Sequence, residues 1–96
     1  MKTIYACLLT YTDQGVRNLG QSPQRARAWR QETEAAGLKV TSQLWFAGAY
    51  DGLVVIEGDN EEKVLGAVAK LVSQGNVRTQ SMRAFDADGL SAILGS

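Results

Sequence analysis

The stretch from Gln43 to Glu57, QLWFAGAYDGLVVIE, holds the densest apolar run of the chain, its tightest turn chemistry and its one compact group of aromatic and acidic side chains. It reads as two strands joined by a hairpin. Leu53 to Glu57 (LVVIE) is apolar on both alternating sets, the pattern of a strand covered on both faces. The strand before the turn, Lys39 to Ala47 (KVTSQLWFA), is mixed. Alternation puts Val40, Leu44 and Phe46 on one side and Thr41, Gln43 and Trp45 on the other, and the polar content places this strand at a sheet edge. Gly48 to Gly52 (GAYDG) supplies the turn, because aspartate followed by glycine is common hairpin chemistry.

Outward from the hairpin, Thr3 to Tyr11 (TIYACLLTY) repeats the two-sided apolar pattern and makes the second central strand. Thr12 to Gln21 (TDQGVRNLGQ) reads as a turn-rich loop. Ser22 and Pro23 then open a helix, as a capping hydroxyl followed by a residue pre-set for the first turn. Its contact face is Ala26, Trp29, Thr33 and Ala36, with Trp29 as the knob against the sheet, and Gly37 ends it. Asp59 or Asn60 caps the next helix, whose apolar stripe is Val64, Leu65, Val68, Leu71 and Val72 and whose end is Gly75. Asn76 to Ala84 (NVRTQSMRA) is polar enough for the other sheet edge. Phe85 leads into a short last helix capped by Asp86, with Leu90, Ile93 and Leu94 as its contact face.

The order is β-α-β-β-α-β with a C-terminal helix, an α+β ferredoxin-like pattern with an antiparallel sheet ordered 4-1-3-2. Two helices cover only one face of that sheet. The second apolar set of the central strands is therefore left to water in a monomer, a larger patch than soluble monomers usually expose. The expectation is self-association through the sheet, as a homodimer or an assembly of dimers, giving a dimeric α/β barrel with a partly polar space between the sheets.

The bulk properties narrow the function classes. The 96 residues form a single domain, 1–96, with 45% hydrophobic residues, enough for one core. Ten basic and ten acidic residues balance, so nothing in the net charge calls for nucleic acid or an anionic membrane. The apolar run at the N-terminus is brief and interleaved with polar residues, which reads as a first strand in a cytoplasmic protein and not as an export signal. No stretch approaches the roughly 20 apolar residues of a membrane span. One cysteine, Cys7, suits a reducing compartment. The absence of histidine removes imidazole bases, Ser-His and Cys-His pairs and the commonest zinc ligand, and neither a metal nor a cofactor is expected.

With TDQGVRNL, SPQRA, the W-x-x-G-A-Y-D turn and GNVRTQSMRAF laid out, the chain resembles the GYD family of small bacterial proteins, named for its glycine, tyrosine and aspartate turn. Gly48, Tyr50 and Asp51 carry that signature, and the resemblance covers nearly the whole chain. It implies a fold of the dimeric α/β barrel group and supplies no substrate. Gly52 departs from the β-branched residue expected after the aspartate, which implies a looser start to the strand.

Six residues are candidates for a ligand site. Tyr50 and Asp51 lie at the turn beside Trp45, where the carboxylate serves as base or anchor and the phenol as donor, or where Asp51 merely satisfies nearby backbone donors. Arg17, Arg78 and Arg83 come from the first loop and the last strand. They gather around an anionic or carbonyl-bearing ligand, or Arg78 or Arg83 pairs locally with Asp13, Asp51 or Asp86. Cys7, in mid-strand, reads as a buried and unreactive thiol. Asp86 and Asp88 alone are too few for a hard-cation site, and the TDQG segment lacks phosphate-loop spacing.

Two functions remain. The first is an oligomeric module that binds a small organic molecule or a protein partner, without catalysis. The alternative is a cofactor-independent dimeric-barrel enzyme, an isomerase, decarboxylase or oxygenase, acting on a small cyclic or phenolic substrate.

Overall fold

A computed structural model describes residues 2–95. Its four strands are β1 (Thr3–Tyr11), β2 (Lys39–Trp45), β3 (Gly52–Gly58) and β4 (Val77–Ala84), and its helices are α1 (Asp13–Arg17), α2 (Ser22–Ala35), α3 (Glu61–Ser73) and α4 (Ala87–Leu94). The sheet is antiparallel with order β2-β3-β1-β4, the expected 4-1-3-2 arrangement counted from the opposite edge. The two strands that are apolar on both sets are the central pair, in a register that sets Cys7 opposite Val54 and Tyr5 opposite Ile56.

The core lies between the sheet and α2 and α3. Cys7, Val54 and Ile56 meet Trp29 from α2 and Val64, Ala67 and Val68 from α3. Trp29 is 2% exposed, and its indole N–H donates to the Ala67 carbonyl at 2.9 Å, so one side chain ties α2 to α3 while filling the space above the sheet. Asn60 caps α3 by accepting the Lys63 N–H at 3.1 Å, and Gly37 and Gly75 take the left-handed backbone that the helix ends require.

Several boundaries and faces differ from the sequence reading. Thr12 to Gln21 is not a loop. Thr12 caps α1 through its hydroxyl, which accepts the Gly15 N–H at 3.1 Å, and a 3-10 turn over Leu19–Gln21 joins α1 to α2. Ser22 does not cap α2, because its hydroxyl is engaged by side chains from the sheet. Ala36, Leu65 and Val72 are exposed, and Ala67 takes the core position their stripes left open.

β2 carries the largest correction. Val40 pairs with Ile56 and Ser42 with Val55, leaving Thr41 as an extra residue in a bulge. The bulge reverses the alternation. Val40, Gln43 and Trp45 share the helix-covered face, and Leu44 turns to the other side, where it is 54% exposed. Gly52 does not loosen β3 either. It is buried, and a Cβ there would meet the Leu44 carbonyl oxygen at 2.8 Å, so glycine permits a close strand approach.

Among the described residues no helix packs over the opposite face of the sheet. Ile4, Ala6 and Leu8 of β1 lie between Ala84, Met82 and Gln80 of β4 and Glu57, Val55 and Leu53 of β3, all on the side away from Cys7. Leu44 and Met82 border this strip and are exposed. Lys2 closes its lower end by bridging Glu57 at 3.5 Å and Asp86 at 3.2 Å.

Candidate functional site

Tyr11 ends β1 on the helix-covered face, as its register with Val77 dictates. A phenol placed there needs a polar partner. It finds the Ser22 hydroxyl at 2.5 Å, and the Trp45 indole N–H donates to both oxygens at 3.1 Å. One residue each from β1, α2 and β2 thus close a small polar triangle over the upper end of the core. Gln43 extends it by donating to the Ala26 carbonyl at 3.2 Å.

Beneath the triangle is a cavity of about 50 Å³, walled by Leu9, Trp29, Val54 and Leu71 and reached by Asp51. Apolar cavities of about 150 Å³ are what admit a benzene-sized guest, whereas one water occupies about 30 Å³ of liquid. Within one chain this space suits a water molecule, not a cyclic or phenolic substrate.

Asp51 is the hinge between the hairpin and the central strand. Its carboxylate accepts the Tyr11 backbone N–H at 2.8 Å, its own N–H donates to the Leu9 carbonyl at 2.8 Å, and its carbonyl accepts the Phe46 N–H at 2.9 Å. The side chain therefore satisfies a backbone donor, but one from β1 and not from its own turn. Tyr50 points to the other face of the sheet, where its hydroxyl donates to Gln80 on β4 at 3.0 Å, reaching across β1.

Of the six candidate residues, Trp45 and Asp51 meet at the cavity, while Tyr50 stands on the opposite face. The three arginines do not converge. Arg17 is exposed at the end of α1, Arg78 lies opposite Thr10 on the open face, and Arg83 lies opposite Tyr5 on the other. Arg83 does pair with a carboxylate, but with Glu61 at 4.0 Å and not with Asp13, Asp51 or Asp86. Its guanidinium also donates to the Ala84 carbonyl at 2.7 Å and stacks 4.6 Å over the Phe85 ring. The Tyr5 hydroxyl donates to the same Glu61 at 2.9 Å, and that bond with partial burial raises the phenol's pKa.

Cys7 is fully buried, and burial pushes its thiol up, away from the reactive thiolate. Asp86 is committed to the α4 cap, accepting the Gly89 N–H at 2.8 Å, and to Lys2. Among the described residues no group of three or more acidic or thiol side chains converges as a metal site would require, and no helix is long and apolar enough to cross a membrane.

Sequence reasoning missed Tyr11 and Ser22. Strand parity alone places Tyr11 beside Cys7 on the covered face, where its hydroxyl had to be answered; the identity of the answering group depends on the bulge in β2, which no local pattern announces.

Comparison with known proteins agrees with the fold. A designed protein, De novo designed protein Foldit4, superposes with a TM-score of 0.54 at 13% identity, over 88% of this chain and 97% of that one, a likeness of fold alone. A Thermus thermophilus protein named "Glutamine synthetase and cystathionine beta-lyase binding protein" is 33% identical over 91 residues, 94% of this chain and 96% of the relative. The profile of the GYD domain matches residues 5–94. The chain belongs to the GYD domain family.

Proposed function

We propose that this chain is a protein-binding module without catalysis, which pairs with a second copy across its open sheet face and presents the resulting dimer to a metabolic enzyme. The observation that carries this reading is the uncovered strip of Ile4, Leu8, Leu53 and Val55, bordered by exposed Leu44 and Met82. Contiguous apolar surface of this kind marks association sites on soluble proteins. The relative's name, a binding protein for two enzymes, supports a protein partner over a substrate. So does the cavity, which is too small for the organic substrate of the enzymatic alternative. Between two copies, Arg78 and the Tyr50 hydroxyl would face a small ligand from the open side. The expected compartment is the cytoplasm, in keeping with a single cysteine and no disulfide.

Light scattering on the purified chain tests the dimer. The expected mass is twice the 10.4 kDa of one chain, and Leu8→Asp in the middle of the strip should return it to one. Titrating glutamine synthetase and cystathionine β-lyase from the same organism into the wild type, followed by sedimentation velocity, tests the partner. Comigration with at least one of them is expected. A monomeric wild type, or a dimer that binds neither, overturns the corresponding half of the proposal.

A further inference from the structure

The side-chain charges of this chain cancel in total, yet they are sorted along its length. β1 and β2 finish, and β3 and β4 begin, at the end of the sheet where α1 lies, α2 starts and α3 stops. That end carries Arg17, Arg25, Arg27, Lys70 and Arg78 against two carboxylates, Asp13 and Asp51. The other end holds the remaining five cations against eight carboxylates. The molecule is 49 Å long, and charge is screened beyond about 8 Å at physiological salt, so a partner meets the charge of one end and not the zero of the whole.

The two ends also differ in how far their charges are answered. All four ion pairs among the described residues fall at the acidic end, where Lys2, Arg30 and Arg83 hold Glu57, Asp86, Glu34 and Glu61. Among the described residues none of the five cations at the basic end makes one. The Asp51 carboxylate is engaged by the Tyr11 backbone N–H, and Asp13, four residues before Arg17 on α1, does not bridge it.

The basic end has the composition of a protein interface. Leu19, Trp45 and Phe46 are exposed there, and aromatic side chains together with arginine, more than lysine, mark the centres of protein contacts. These groups adjoin one another. The Arg25 guanidinium donates to the Asn18 carbonyl at 2.9 Å, which sets it against the corner between Arg17 and Leu19, and Arg25 and Trp45 line the same cavity. That bond leaves the other N–H groups of Arg25 available. Arg27, two residues from both Arg25 and the buried Trp29, stands on the outer side of α2 and is not part of the group.

We propose that the enzyme partner docks on this end through an acidic surface, with carboxylates seated on Arg17 and Arg25 and with Leu19, Trp45 and Phe46 covered beside them. Guanidinium forks bind carboxylates through two parallel hydrogen bonds, which gives such a contact orientation as well as charge. The inference rests on the protein-binding reading and adds the chemistry of the partner and the place where it binds, away from the sheet face that meets the second copy. A second copy fits this end less well, because half of the carboxylates at the acidic end are already paired.

Titrating isotope-labelled protein with a short peptide rich in glutamate and leucine, followed by NMR, tests the surface without the enzymes. Shifts should gather on the Leu19 and Arg25 amides and the Trp45 indole, and added salt should weaken them. Arg17→Glu with Arg25→Glu should weaken binding at least tenfold, and Arg27→Glu less than threefold. Arg17→Glu alone, which leaves the bond between Arg25 and Asn18 in place, should weaken it severalfold and serves if the pair fails to fold. No shifts, shifts centred on the acidic end, or an unchanged affinity in the arginine variants overturns the surface. So does a short DNA duplex that binds the same residues more tightly than the peptide, or a concentration-dependent growth of the protein alone that the arginine variants abolish. In sedimentation velocity with the two enzymes, Arg17→Glu with Arg25→Glu should lose comigration while remaining a dimer. A wild type that binds the peptide at this end and neither enzyme overturns the partner and keeps the surface; comigration that survives both substitutions overturns the surface and keeps the partner.

Discussion

The Asp51 carboxylate accepts the Tyr11 backbone N–H at 2.8 Å, joining the tip of the β2–β3 hairpin to the last residue of the neighbouring central strand. The bond continues the β1–β3 ladder by a side chain at the point where the hairpin backbone turns away. It is partly buried and has a charged acceptor, a class of bond that contributes about 1.5–3 kcal/mol. Asp51→Ala should lower stability by about 2 kcal/mol, or about 8–16 °C in melting midpoint for a domain of this size. Asp51→Asn keeps an acceptor oxygen and should recover at least half of that. Thermal unfolding followed by circular dichroism makes the comparison. An unchanged midpoint in Asp51→Ala would return the residue to a role in binding.

The Tyr11, Ser22 and Trp45 triangle predicts a coupling. Ser22→Ala and Tyr11→Phe each remove the hydroxyl pair and one of the two acceptors of the Trp45 N–H. The hydroxyl pair is thus counted in both single variants, and the double variant should cost less than their sum by about 1 kcal/mol. Urea unfolding of the four proteins gives the cycle. Strict additivity would mean that the three groups do not act as a unit.

At the other end of the sheet, Asp86 links α4 to Lys2. The Gly89 N–H, and then Lys2, hold its carboxyl below the usual value of 3.8. A carboxylate depressed in the folded state contributes stability that is complete above its unfolded value and is lost as pH falls through the folded midpoint. The Lys2 amine, raised above 10.5 by Asp86 and Glu57, acts in the opposite sense: its contribution is complete below its unfolded value and is lost as pH rises through the folded one. The Gly89 amide resonance should therefore titrate at a pH below 3.8, and Lys2→Met should move that midpoint upward without bringing it to the ordinary value, because the backbone donor remains. A midpoint at or above 3.8 in wild type would show that the cap does not form in solution.

How much of this was legible follows from what each feature depends on. The central strands were readable because LVVIE and TIYACLLTY carry the burial of both faces in their own composition. Asp86 was readable as a cap, and the α3 cap was narrowed to Asp59 or Asn60, of which the structure takes Asn60, because capping is local chemistry within three residues. The site was not, and the reason is specific. One unpaired residue, Thr41, shifts the register of β2 and exchanges the faces of Leu44 and Trp45. With Trp45 on the helix side, Ser22 leaves its capping role and Tyr11 acquires its partners. The failure of the arginines to gather has a similar origin: Arg78 and Arg83 are an odd number of residues apart on β4, so a regular strand must send them to opposite faces. That separation was in the sequence, although which face each took depended on pairing with β1.

Two glycines inside helices should respond to alanine with opposite signs. In α1, a Cβ at Gly15 would run into the Asn76 carbonyl oxygen and the Tyr11 ring. The Asn76 carbonyl has no freedom to retreat, because it also accepts the Thr12 N–H at 3.1 Å where α1 begins. Gly15→Ala should therefore cost about 1–3 kcal/mol from overpacking, less the gain of about 1 kcal/mol that alanine gives a helix, for a net loss of stability. In α3, a Cβ at Gly66 meets open space, so Gly66→Ala keeps the helical gain alone and should raise the melting midpoint by about 4–8 °C. Because both substitutions add the same methyl group to the same kind of backbone, their difference isolates the contact between α1 and the turn before β4. Equal effects at the two positions would mean that α1 does not pack against Asn76 as described.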